Sequence, residues 1–130
     1  MDIQDLSIGD WVQAKMTKWD YDDLDVTPPM RVIQIGYGEA KLVLNGIEHY
    51  AFAEDLQPIP ITAEILEKNG ISKTYESDEY TVYKGEGFNI TEYYTELWEF
   101  ERHRNRLMIR NVHQLQHALC LVGVGKEIEL

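Results

Sequence analysis

The chain has 130 residues, 44% of them apolar and 27% charged, which fits one compact domain or two small lobes and excludes a disordered chain. Because 23 acidic residues outnumber 12 basic ones, the formal net charge is −11, which disfavours direct binding to nucleic-acid phosphates. The single cysteine, Cys120, excludes an internal disulfide, and we recognise neither a signal peptide nor an apolar run of membrane-spanning length. We therefore expect a cytoplasmic protein without membrane contacts.

The first 60 residues are predicted to form short strands joined by turns. Asn45-Gly46 is the clearest turn signal, because both central positions of a type I′ hairpin require positive φ. One helical turn is expected at residues 53–56. The alternation of apolar and polar residues predicts strands at residues 11–16, 30–35, 40–44, 47–52 and 57–61.

Five strands, a long first loop and the Asn45-Gly46 hairpin resemble a small barrel of the Src-homology type. The resemblance covers about the first 60 residues and implies an architecture without a function.

The remaining residues are predicted to form a short linking helix, a second antiparallel β region and a C-terminal helix. Thr62 is placed as the N-cap of a helix over residues 63–69, which Gly70 ends. Leu115 and Leu119 belong to the apolar stripe of the C-terminal helix, and Glu127 begins a possible last strand. The later strands and helix are expected at residues 80–83, 88–94, 97–100, 107–110 and 111–121. The fold class is therefore mainly β (α+β), with residues 1–61 as the barrel and 62–130 as the second region, or both as one continuous domain.

Two histidines four residues apart on the C-terminal helix have the spacing of zinc peptidases. That motif needs a glutamate after the first histidine to take a proton from zinc-bound water, and Gln114 stands there instead. His113, His117 and Cys120 share one flank of the helix and could still bind zinc with a fourth ligand such as His103. Alternatively, the histidines make hydrogen bonds or face solvent, while Cys120 packs as a small apolar residue. We predict no metal, no cofactor and no enzymatic activity.

A long acidic loop with two aromatic residues is the predicted partner-binding site. A calcium loop of the EF-hand type is excluded, because its fifth and sixth positions would be Leu24 and Asp25. Carboxylates and aromatic rings together could bind an arginine or lysine of a protein partner, although the loop could also be simply solvated. The predicted binding residues are Trp19, Asp20, Tyr21, Asp22, Asp23 and Asp25.

The only basic cluster of the chain surrounds the predicted turn at residues 103–106. It could contact a phosphate or an acidic partner, or it could balance the acidic surface of the protein itself. Its members are Arg102, His103, Arg104, Arg106 and Arg110.

The C-terminal run Val112-His113-Gln114-Leu115-Gln116, and the approach to it through residues 55–60 and 62–70, resemble small proteins of Bacteroidetes prophages and conjugative elements. The resemblance implies a mobile-element context and no catalytic residues. We therefore expect a non-enzymatic interaction module that binds a protein partner. The alternatives are a metal-binding protein that uses His113 and His117, and an acidic decoy that blocks a nucleic-acid-binding protein.

Overall fold

The protein is mainly β and consists of two compact units. The computed structural model describes residues 1–15, 26–94, 97–125 and 127–130, and in these residues the strands form two antiparallel five-stranded sheets. The units are Met1–Ile59 and Pro60–Leu130, so the boundary falls close to the one expected after residue 61. The predicted fold class, two antiparallel β regions with a C-terminal helix, is confirmed. No helix in the described ranges is long and apolar enough to cross a membrane.

The first unit is a curled half-barrel with the strand order β4-β3-β2-β1-β5. Alternate residues of its strands face an apolar centre, as the sequence pattern predicted. A 3₁₀ turn, Ala53–Asp55, precedes the last strand. The strands are β1 (Trp11–Ala14), β2 (Met30–Ile35), β3 (Glu39–Leu44), β4 (Ile47–Phe52) and β5 (Leu56–Gln57). The core contains Leu6, Val12, Ala14, Met30, Val32, Ala40, Leu42 and Leu56.

The Asn45-Gly46 hairpin is confirmed. Asn45 has φ 53° and Gly46 has φ 79°, and the residues on either side, Leu44 and Ile47, pair directly across the turn. A side chain other than asparagine or aspartate is disfavoured at the first position, and glycine removes the steric cost at the second.

The last strand of this unit differs from the prediction. We expected it at residues 57–61, but β5 covers only Leu56–Gln57. Pro58 and Pro60 have no backbone N–H to donate and therefore cannot extend the ladder. Among the described strands β4 and β5 do not pair with each other, so the predicted barrel is open between them.

The second unit is a sheet with the order β10-β9-β8-β7-β6, covered on one face by α2. Thr62 caps α1, since its Oγ1 accepts a hydrogen bond from the Ile65 N–H at 3.2 Å. β6 was not predicted, because every one of its residues is exposed and no burial alternation marks it. Its elements are α1 (Ala63–Lys68), β6 (Ser72–Glu76), β7 (Tyr80–Lys84), β8 (Asn89–Tyr93), β9 (Leu97–Arg102), β10 (Asn105–Ile109) and α2 (Val112–Leu121).

The core of the second unit lies between α2 and one face of this sheet. Leu115 and Leu119 of α2 are 0% and 4% exposed, as predicted. On the sheet, Tyr83 packs against Trp98 with ring centroids 5.9 Å apart, and Phe88 stacks on Phe100 at 5.0 Å. The side chains that alternate with the core residues along each strand lie on the opposite face of the same sheet.

Candidate functional site

The predicted acidic binding loop lies outside the described residues. Trp19, Asp20, Tyr21, Asp22, Asp23 and Asp25 all belong to it. Their role in partner binding therefore stays a prediction from sequence.

The two histidines of α2 lie close together, but the flank that includes Cys120 is divided between the interior and the surface. His113 is 4% exposed, and its ring meets that of His117 edge-on with centroids 5.9 Å apart. Cys120 is exposed, so it does not share the buried position of His113. Within the described part of the chain, no group of three or more histidine, cysteine, aspartate or glutamate side chains could hold a metal ion.

Gln114, the residue that departs from the zinc-peptidase pattern, organises the start of α2. Its Oε1 accepts hydrogen bonds from the backbone N–H groups of Arg110 at 2.7 Å and Asn111 at 3.2 Å. In a capping box, the side chain of the third helical residue accepts a hydrogen bond from the backbone N–H of the N-cap residue. Gln114 makes this contact with Asn111. Gln114 thus stabilises the N-terminus of α2.

The basic cluster is divided between the two faces of the second sheet. Arg102 follows Phe100 by two residues and reaches α2, where its Nη1 donates to the backbone carbonyl of Val122. Arg106 pairs across the ladder with Glu101, and its Nε lies 3.6 Å from Glu101 Oε2 and 3.8 Å from Glu99 Oε1. The strand register therefore places these two arginines on opposite faces of the sheet.

A groove of about 440 Å³ lies between α2 and the end of the sheet formed by β9 and β10. Its two most accessible apolar residues are Leu107, 46% exposed, and Leu121, 82% exposed. The volume is within the range of small ligand sites and of pockets for one or two peptide side chains. The lining is completed by Phe100, Ala118 and Val122 as apolar residues and by Arg102, His103, Asn105 and Arg106 as polar ones.

The tip of the β9–β10 hairpin places His103 at this groove, with Arg104 next to it in the turn. His103 and Arg104 connect the paired residues Arg102 and Asn105, and both are exposed. His103 has φ 57°, a left-handed conformation that glycine or asparagine adopts at lower cost.

Arg31 and Lys41 in the sheet of the first unit have partners within the unit. The Arg31 guanidinium lies 4.5 Å from the centre of the Trp11 ring. The Lys41 ammonium lies 3.1 Å from Glu48 and 5.3 Å from the Tyr50 ring centre. The hydrogen bond to Glu48, followed by the one to Tyr50, raises the pKa of Lys41 above its ordinary value. These contacts hold the sheet together, so we place the candidate site at the β10–α2 groove.

Sequence reasoning identified the basic rim of this groove but missed its apolar floor. The sequence contained two signals of this apolar surface. Leu107 and Met108 are adjacent in a strand, so they must face opposite sides of the sheet. Leu121 lies at the end of α2, away from the buried positions Leu115 and Leu119.

Comparison of the sequence with protein-family models and with curated proteins, and of the fold with solved structures, found no match.

Proposed function

We propose that this protein is a non-enzymatic interaction module whose β10–α2 groove binds an acidic, leucine-bearing segment of a partner protein. The observation that carries the proposal is an exposed apolar groove with a basic rim on a chain of net charge −11. The same observation identifies the partner segment by its chemistry: apolar side chains for the floor and carboxylates for the rim.

Leu107 and Leu121 are the proposed anchors for apolar side chains of the partner. They line the same groove from opposite sides, one on a strand and one on a helix. Burying two such side chains together with a ligand side chain removes apolar area from water, which stabilises the complex by about 25 cal/mol for each Å². Scattered exposed leucines are ordinary, but two that share a concave surface favour binding.

Strand β10 offers a backbone template beside these anchors. It is the last strand in the hydrogen-bonded order of its sheet, and among the described strands none other than β9 pairs with it. Four of its five residues are exposed. An extended peptide can add to such an edge through main-chain hydrogen bonds, while its alternate side chains enter the adjoining groove.

The rim supplies the preference for acidic segments. Arg102 uses one guanidinium nitrogen for Val122, and a guanidinium has five N–H donors, so further donors remain for a carboxylate. Arg104 adds charge and His103 adds hydrogen-bonding capacity at the hairpin tip. Because the net charge of the chain is −11, these basic side chains reduce the repulsion that an acidic partner would meet at the rim.

Titration with a short synthetic peptide of alternating glutamate and leucine tests the proposal. NMR shift changes should concentrate on β10 and the last turn of α2, and affinity should fall as salt rises, since exposed charges are screened. The variant L107S/L121S should weaken binding roughly fivefold or more. The control I47S changes an apolar residue of the first unit that is 63% exposed and should leave binding unchanged.

Two results would reject the groove as the binding site. One is equal binding of a lysine-leucine peptide of the same length, because it would show that the basic rim selects nothing. The other is wild-type affinity in L107S/L121S.

The proposal also includes a cellular environment and a second binding surface, the acidic loop. The cytosol of a cell that carries a mobile element is the expected environment, and the acidic loop around Trp19 and Tyr21 is a second predicted contact. The alternative of a metal-binding protein rests on the proximity of the His113 and His117 rings. The alternative of an acidic decoy rests on the net charge alone.

A further inference from the structure

We infer that the open face of the second sheet is a separate docking surface for an arginine-bearing peptide. This face is opposite to the one that α2 covers, and β10 sends Leu107 to the groove and Met108 to the open face. The inference therefore concerns another surface and another partner chemistry than the β10–α2 groove.

Three tyrosines form a row across β6, β7 and β8 on this face. Tyr80 pairs directly with Tyr93, and their ring centroids are 6.2 Å apart. Tyr75 lies on the other side of Tyr80 at 5.5 Å. Tyr75 is 52% exposed, and Tyr80 and Tyr93 are half-buried, so the row presents aromatic surface to solvent.

The row continues into a shallow cavity of about 550 Å³ at the end of the sheet. Tyr94 also lines this cavity, and its hydroxyl forms a hydrogen bond of 2.8 Å with that of Thr81. Tyr93, Leu97 and Met108 supply further apolar surface, and the remaining lining residues are the carboxylates Asp78 and Glu79. Among the residues that the structure describes, no basic side chain lines this cavity.

Hydrogen bonds fix the backbone of the turn that carries both carboxylates. The Ser77 hydroxyl accepts hydrogen bonds from the N–H groups of Glu79 and Tyr80 at 3.2 Å, which fixes the turn between β6 and β7. The Glu79 carbonyl in turn accepts from the Tyr94 N–H at 3.4 Å. The acidic turn is thus tied to the backbone at the end of β8.

This chemistry selects an arginine side chain. The face of a tyrosine ring is electron-rich and attracts a cation, and a planar guanidinium can stack on it while donating to a carboxylate in the fork geometry. A lysine ammonium offers the charge without the stacking plane. Phosphate-bearing ligands would be repelled by Asp78, Glu79 and the net charge of −11.

The test uses a synthetic peptide of glycine, serine and two arginines, together with counterparts that carry lysine or glutamate in their place. Calorimetry and ¹⁵N NMR titration should show that the arginine peptide shifts resonances of residues 78–80 and 93–94. The lysine peptide should bind roughly two- to fivefold more weakly, and the glutamate peptide should not bind.

The variant D78N/E79Q removes the charge and keeps the shape of both side chains, so it should lower affinity for the arginine peptide roughly fivefold or more. The control E64Q/E67Q removes the same charge from two exposed residues of α1 and should change affinity less than about twofold. Y75L keeps an apolar side chain, removes one ring and should weaken binding roughly two- to fivefold.

Wild-type affinity in D78N/E79Q, or shift changes confined to residues outside this face, would overturn the inference. Concentration-dependent shifts of the same residues without any peptide, lost in D78N/E79Q, would also overturn it, because they would make a second copy of this chain the occupant. The β10–α2 groove is tested separately by L107S/L121S, so failure of either surface can be recognised independently.

Discussion

The side-chain amide of Asn69 pairs with the backbone of Glu129 as a neighbouring strand would. Its Oδ1 accepts from the Glu129 N–H at 2.7 Å, and its Nδ2 donates to the Glu129 carbonyl at 2.8 Å and to the Ile65 carbonyl at 2.7 Å. Lys68 Nζ donates to the Leu130 carbonyl beside it at 2.6 Å. Residues 127–130 form no strand, contrary to the sequence prediction, and the end of α1 holds them in place.

We expect Asn69→Ala to loosen the last four residues. Two hydrogen bonds to Glu129 are lost, at a combined cost to the free energy of unfolding of roughly 1–2 kcal/mol. Amide hydrogen exchange at Glu129 should accelerate more than exchange in β7–β9. Asn69→Asp should be at least as disruptive, because a carboxylate would face two carbonyl oxygens at a helix C-terminus. Unchanged exchange at Glu129 in both variants would contradict this assignment.

Leu119→Ala should destabilise the second unit by roughly 2–5 kcal/mol, because it leaves a cavity under α2 where the side chain is 4% exposed. Leu121→Ala provides the matched control. That side chain is 82% exposed, and its truncation should change the free energy of unfolding by about 0.5 kcal/mol or less. Chemical denaturation of both variants measures the difference. Equal effects would show that the buried face of α2 is assigned wrongly.

Gly85→Ala should destabilise the hairpin between β7 and β8, because a Cβ at this position would overlap the ring of Phe88. That ring cannot move freely, since it stacks on Phe100. We expect a loss of roughly 1–3 kcal/mol. At Gly36 a Cβ would meet no atom closer than 3.4 Å, so Gly36→Ala should have little effect on the melting temperature. A melting temperature equal to that of the wild type in Gly85→Ala would show that the ring has room to move.

Glu92 should make the stability of the protein depend on pH. It lies opposite Thr81 and Trp98 in the sheet, and burial raises the pKa of its carboxyl above the ordinary value. The folded state therefore holds this proton more tightly than the unfolded state, so its ionisation lowers stability as pH rises from the ordinary glutamate pKa through the raised one. Glu92→Gln should raise the melting temperature at neutral pH and change it little in acid. The exposed Glu64→Gln is the control, and the same melting difference at both pH values would refute the prediction.

Features fixed by a few adjacent residues were predictable from the sequence. Asn45-Gly46 specified its hairpin through the φ values it tolerates, and Thr62 specified the start of α1 through one hydrogen bond three residues away. Leu115 and Leu119 were recognised as buried because a helix presents residues four apart on one face. In each case the interactions that determine the local structure involve residues no more than four positions apart.

The candidate site was only partly predictable. The basic residues around His103 were visible in the sequence, but their distribution depends on register. Arg106 meets Glu99 and Glu101 because β9 and β10 pair in one particular alignment, and Arg102 reaches Val122 only because α2 folds back over the sheet.

The sequence by itself therefore determined the fold class, the local turns and helix caps, and the acidic character of the surface. Tertiary structure alone decided that β6 joins the sheet without a buried residue, that Asn69 holds the C-terminal residues, and that Leu107 and Leu121 face one groove. The reason is the range of the interactions. Turn and cap preferences act over three or four residues, whereas strand register and helix docking are set by contacts between segments far apart in the chain.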